Sequence, residues 1–189
     1  VANFVALYDA CVLYPAQLRD LLLRVAMSDL FKARWTDRIH DEWIRSLSND
    51  RPDIPLTRLA RTRELMNAAV PDCLVTGYEP MIEQVRLPDA DDRHVLAAAI
   101  RAQAGVIVTL NVRDFPAEVI DGYGVSAQHP DEFLAHLFDL NPAVVCAAVR
   151  DMRRALKNPP KAVWELLDDL RRVGLPSTVA QLESMQELL

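Results

Sequence analysis

Val106-Ile-Val-Thr-Leu-Asn-Val-Arg-Asp-Phe115 begins as a β-branched apolar run and stops at a cluster of oxygen-bearing side chains. So apolar a run fits a strand covered on both faces, as in parallel sheets, where ligands bind beyond the carboxyl ends of the strands. The pattern predicts a buried strand over 106–110 that carries Thr109, Asn111 and Asp114 to a sheet edge. Just upstream, Asp89-Ala-Asp-Asp92 precedes the good helix formers His94-Val-Leu-Ala-Ala-Ala-Ile100. At least one of these aspartates is expected to cap a helix that ends near Gln103 to Gly105.

Further out, the same alternation continues. Phe4-Val-Ala-Leu-Tyr8 reads as a short strand closed by Asp9, and Pro15 opens an amphipathic helix with Leu18, Leu21, Leu22 and Val25 on one face. From Thr36 onward, Ile39, Trp43 and Leu47 recur at helical spacing, with Glu42 beside the core residue Trp43. A loop from Asn49 to Pro55 leads to a helix over 57–70 whose apolar residues are Leu59, Leu65, Met66 and Ala69. Cys73-Leu-Val-Thr76 reads as the second strand, Glu79 to Val85 as one or two helical turns, and Gly124-Val-Ser-Ala127 as a last edge strand.

Strands alternating with helices imply a three-layer α/β/α fold with a mostly parallel sheet over residues 1–130. Beyond Pro130 no strand signal remains, so residues 131–189 read as an all-helical C-terminal extension. Pro142, Pro159-Pro160 and Pro176 are expected at first helical turns, and Leu175, Val179, Leu182, Met185 and Leu189 form one apolar stripe.

Composition narrows the function. With 189 residues the chain is long enough for a substantial core, and its 51% hydrophobic content excludes disorder. A net charge of −6 argues against a general nucleic-acid binder and leaves room only for a local basic groove. Arg150, Arg153 and Arg154 recur at helical spacing and read either as such an RNA path or as a solvated helix face. Cys11, Cys73 and Cys146 are scattered without zinc spacing, which fits a reduced, cytoplasmic protein. Asp9 interrupts the first apolar run and no stretch approaches the roughly 18 apolar residues of a membrane span, so neither secretion nor membrane insertion is expected.

Four chain-distant points therefore carry oxygen ligands at strand ends or helix starts: Asp9, Glu42, the Asp89/Asp91/Asp92 cluster, and Asn111 with Asp114. Singly, each has an ordinary use as a turn former, a helix cap or a solvated charge. Their order, however, resembles that of the PIN-domain ribonucleases. The matching elements are Leu7-Tyr8-Asp9, Ile39-His-Asp-Glu42, Asp91-Asp-Arg-His-Val-Leu-Ala-Ala-Ala99 and Thr109-Leu-Asn-Val-Arg-Asp-Phe115. The resemblance covers residues 1 to about 130 and is greatest to the toxin subunits of bacterial toxin–antitoxin pairs.

Carried over residue by residue, the resemblance implies Asp9, Glu42, Asp92 and Asp114 as catalytic residues. Asp9, Asp92, Asn111 and Asp114 become the metal ligands, with Thr109 and Asp91 in support. Asp91 is the alternative to Asp92 at the third position. At the fourth, Asn111 stands where a carboxylate usually does, and Asp114 can supply the charge it lacks. Mg²⁺ or Mn²⁺ is the implied cofactor, because both take oxygen ligands, usually one or two carboxylates with water and substrate phosphate, and a cation relieves the repulsion of clustered carboxylates. A metal-dependent ribonuclease, a homodimer and neutralisation by a cognate antitoxin follow from the same resemblance. The rival reading is a non-catalytic PIN-like RNA-binding or assembly protein, which Asn111 and the acidic balance favour. A phosphatase with Asp9 as nucleophile is disfavoured because Cys11 stands where its second aspartate belongs.

Overall fold

The computed structural model describes residues 4–189. The first strand, β1 (Val5–Tyr8), leads through α1 (Ala10–Leu13) and α2 (Ala16–Ala26) to β2 (Lys32–Arg34). Four helices follow: α3 (Asp37–Asp50), α4 (Leu56–Ala69), the single turn α5 (Glu79–Ile82) and α6 (Arg93–Arg101). The chain then forms β3 (Val106–Val108), α7 (Ala117–Ile120) and β4 (Ser126–Gln128). It ends in α8 (Pro130–Leu140), α9 (Pro142–Ala155), α10 (Val163–Arg172) and α11 (Pro176–Glu183).

All strand pairs are parallel, in the order β2-β1-β3-β4. Because β1 and β3 lie side by side at the centre, Asp9 and Thr109 leave the sheet at the same edge. The Asp9 amide donates to the Val108 carbonyl at 3.1 Å, which locks that alignment. Val106, Ile107 and Val108 are buried, as the quoted run requires.

Several expectations are corrected. The second strand is Lys32–Arg34, not Cys73–Thr76. Lys32 and Arg34 flank a buried Ala33 on an edge strand, and charged side chains at a solvated edge carry no apolar signal. Residues 73–76 contribute one isolated bridge, Trp35 to Leu74, beyond that edge. The central strand ends at Val108, two residues earlier than predicted. Leu65 lies 53% exposed, leaving Leu59 and Met66 as the buried face of α4. Pro130, Pro142 and Pro176 do open helices, whereas Pro159-Pro160 lies in a turn before α10, with Lys157 bridging Pro160.

The C-terminal helices share the core. Phe133 of α8 meets Tyr8 and Phe31 edge-on, with ring centroids 6.3 and 5.2 Å apart, so an aromatic cluster ties α8 to the first two strands. The predicted stripe packs inward: Leu175, Val179 and Leu182 are fully buried and Leu189 nearly so. Among the described residues no helix is long and apolar enough to cross a membrane.

Candidate active site

Asp9 follows β1 directly, and its side chain caps α1: the Ala10 amide donates to Oδ1 at 2.7 Å. Its other oxygen accepts from the Thr109 hydroxyl at 2.8 Å and the Cys11 thiol at 3.1 Å. Thr109 Oγ1 in turn accepts from the Asn111 amide at 3.0 Å. Thr109 thus joins the backbone of Asn111 to the side chain of Asp9, to which its proton goes.

Glu42 reaches the same edge from α3, whose N-terminus is fixed by Thr36 accepting from the Ile39 amide. His94, on the first turn of α6, lies 2.9 Å from Glu42 through Nε2, and Arg38 lies 3.2 Å away one turn back. Burial pushes the Glu42 carboxyl up, but His94 and then Arg38 outweigh it and hold the group below the usual range. The carboxylate is therefore ionised and pinned in place.

Asp92 stands at the N-cap position of α6, yet its side chain makes no capping bond and stays uncommitted. Burial, followed by the charges of Asp9, Asp114 and Asp89, pushes its carboxyl up to about 6. Asp91 is exposed, and its amide is taken by Asp89 Oδ1. Asp114 lies in a 3₁₀ turn (Val112–Asp114), close enough to act on Asp92 through its charge.

A cavity of about 410 Å³ opens at this edge, lined by Asp9, Cys11, Trp43, Glu42, Asp92 and Asn111 among others. The structure thus brings Asp9, Glu42, Asp92 and Asn111 together, with Thr109 beneath them. It does not bring Asp91, Asp114, Arg150, Arg153 or Arg154 to the cavity wall. Arg153 instead donates to the carbonyl of Leu189 and secures the chain end against α9.

Two residues acquire a place here that the sequence did not assign. Cys11 sits between Asp9, Thr109 and the Leu110 amide, and burial, reinforced by the charge of Asp9, pushes its thiol up to about 12. It remains a neutral donor at ordinary pH. His94 is only 2% exposed yet bonds Glu42 across from α6 to α3. The His94→Ala variant is expected to release Glu42 and lower turnover by about 10- to 100-fold, the range for loss of an outer partner, with partial recovery in His94→Gln. Cleavage rates at matched melting temperatures check this.

The donor set suits a hard cation. Carboxylates from Asp9 and Asp92 and an amide oxygen from Asn111 are what Mg²⁺ or Mn²⁺ takes, and such ions need only one or two protein carboxylates. Among the described residues no three His, Cys, Asp or Glu side chains form a ready-made cage. The raised Asp92 carboxyl fixes the pH dependence. A cation held by Asp92 would need the ionised form, which prevails above about pH 6 and is lost as pH falls through it. Mn²⁺ affinity by isothermal titration should be level above that point and fall about tenfold per pH unit below it.

The chain is thus a parallel sheet flanked by helices, with acidic groups gathered at the carboxyl edge of its strands. The profile of the PIN domain matches residues 5–113, more than half of the chain, and that of the VapC50 C-terminal domain matches residues 130–184. The chain belongs to the PIN-domain family. It is similar to the protein named "Putative ribonuclease VapC50" of Mycobacterium tuberculosis (strain ATCC 25618 / H37Rv), 37% identical over 117 residues that cover 60% of this chain and 69% of that one. No solved structure matches the chain significantly.

Proposed function

We propose that the chain is a metal-dependent ribonuclease of the VapC toxin type, hydrolysing RNA phosphodiester bonds in the cytoplasm. The observation that carries this reading is the convergence of Asp9, Glu42, Asp92 and Asn111 on one cavity, where burial and then the neighbouring carboxylates push the Asp92 carboxyl up. Asp9 and Asp92 would hold Mg²⁺ or Mn²⁺ directly, with Asn111 in support and the charge of Asp114 nearby. Once bound, the cation supplies a Lewis acid that lowers the pKa of a water and neutralises charge on the phosphate. The Ala10 amide, Thr109 and Cys11 hold the Asp9 carboxylate in one orientation. Glu42, kept ionised by His94 and Arg38, accepts a proton from the attacking water at Oε2, the oxygen that neither partner takes. Attack at phosphorus breaks the P–O3′ bond, and the proton released to the leaving oxygen comes from solvent.

The family relationship supports RNA as substrate. A small antitoxin partner, a homodimer and a division between a nuclease domain over 1–130 and a helical extension over 131–189 belong to the same proposal. The test is RNA cleavage by the purified chain with Mg²⁺ or Mn²⁺, abolished by a chelator and restored on metal return. Cleavage indifferent to the chelator would overturn it. The amide of Asn111 favours a second reading, a PIN-like RNA-binding or assembly protein without catalysis. Failure to bind Mn²⁺ at neutral pH would decide for that alternative.

A further inference from the structure

Beside the acidic cavity lies a larger groove of about 590 Å³, and the two share Tyr14 and Pro15 as a common rim. Three guanidinium groups line it, those of Arg19, Arg51 and Arg58, against the two carboxylates of Asp50 and Asp53. The groove is thus locally basic on a chain whose net charge is −6. Its charges are also unequally free. Arg51 is held by both oxygens of Asp53, whereas Arg58 has no ion-pair partner among the described residues.

Arg19 is the most deliberately placed of the three. Its guanidinium lies 4.8 Å from the centre of the Trp43 ring, whose other contacts include the acidic cavity. It donates to the backbone carbonyls of Leu13 and Tyr14, at the C-terminal end of α1. The adjacent Asp20 is engaged by Arg24. A cation fixed by an aromatic face and two carbonyls, whose one neighbouring carboxylate, Asp20, is paired with Arg24, keeps charge to offer an external anion. Tyr14 is fixed too, because its hydroxyl donates to Asp50 at 2.7 Å.

We propose that this groove binds the phosphate backbone of single-stranded RNA next to the scissile linkage. Arg19 and Arg58 are the phosphate ligands and Tyr14 is the surface on which an adjacent base stacks. The inference rests on the ribonuclease reading and extends it. It sets the direction in which the substrate leaves the acidic cavity: over Tyr14 and Pro15, between α2 and the start of α4, rather than across α9. A strand whose scissile phosphate sits among the acidic residues needs compensating positive charge on its next phosphates, and this rim is where the structure supplies it.

The experiment is equilibrium binding of a short fluorescein-labelled single-stranded RNA in EDTA, across a salt series, paired with cleavage of the same RNA in Mn²⁺. Loss of one phosphate contact lowers the slope of log affinity against log salt by about 0.7 for a single strand. Arg58→Gln, at an exposed position, should show that fall together with several-fold weaker binding at low salt. Arg19→Gln should do the same, with Arg19→Lys intermediate. Arg61→Gln, on the same helix but outside the groove, should leave the slope unchanged. An unchanged slope in Arg58→Gln, or no RNA binding by the wild-type chain, overturns the groove, as does a fall at Arg154 with none at Arg58. If binding depends on Arg58 while no metal supports cleavage, the groove stands and the ribonuclease reading fails. If cleavage proceeds with both arginines dispensable, the ribonuclease reading stands and the groove fails.

Discussion

Replacing Asp9 by asparagine is expected to lower RNA cleavage by at least about a hundredfold, with little change in folding. Losing an outer partner of a metal site already costs about 10- to 100-fold, so losing a ligand itself sets that as the floor. Asparagine keeps an oxygen for the Ala10 amide, and its NH₂ group can donate to Thr109 and Cys11, both able to accept once they no longer donate. The cap of α1 and the link from β1 to β3 therefore survive. Only the charge disappears, together with its pull on a cation and its push on Asp92. The same variant should accordingly relax the Asp92 carboxyl downward, since Asp9 is one of the charges that raises it. Initial rates in Mn²⁺, with melting temperatures alongside, check the result; activity equal to wild type would remove Asp9 from the metal site.

Much of that site was legible because strand ends and helix starts impose order on the chain. Val106 to Val108 announced a buried strand, and the oxygen ligands that follow it had to emerge at its carboxyl edge. Asp92 was legible for the same reason, although what matters there is the capping bond it does not make. The second strand was hidden because Lys32 and Arg34 look like loop residues until the edge they occupy is known. Cys73 to Thr76 looked like a strand because β propensity reflects a half-buried pleated surface, which that segment finds only at one bridge. His94 could not be placed, since a histidine inside an alanine-rich helix reads alike whether it fills a core or grips Glu42 from another helix. Arg19 was equally opaque: its partners are a ring on α3 and two carbonyls at the end of α1, brought together only by the packing of α1, α2 and α3. Contacts between residues on different elements, with no period or motif to mark them, are what a single sequence withholds.

The helical extension depends on one buried carboxylate, and its removal carries the largest expected effect on stability. Asp131, on the first turn of α8 and only 8% exposed, accepts from the amides of Ser177 and Thr178 at 2.9 and 2.8 Å and from the Thr178 hydroxyl at 2.8 Å. Those amides belong to the first turn of α11, whose own N-cap residue, Leu175, has no side chain able to cap. Asp131 therefore caps α11 from a different helix, and its charge also suits the positive end of that helix dipole. Burial pushes the Asp131 carboxyl up, but the Thr178 and Ser177 bonds outweigh it and hold the group below the usual range. In Asp131→Ala the Thr178 amide is left buried without a partner, at about 1–3 kcal/mol for a group left unsatisfied, and the exposed Ser177 amide loses its charged acceptor. A loss of about 3 kcal/mol is expected, which for a chain of this size lowers the melting temperature by about 6–12 °C. The sign with pH follows from the direction of the shift. A carboxyl held lower in the folded state contributes its stability above the unfolded value, near 4, and loses it as pH falls through the folded one. The gap between wild type and Asp131→Ala should thus be full at neutral pH and narrow below about pH 4, and Asp131→Asn should fall between the two. Denaturant melts of the three proteins across that range check the assignment, and a gap that widened in acid would contradict it.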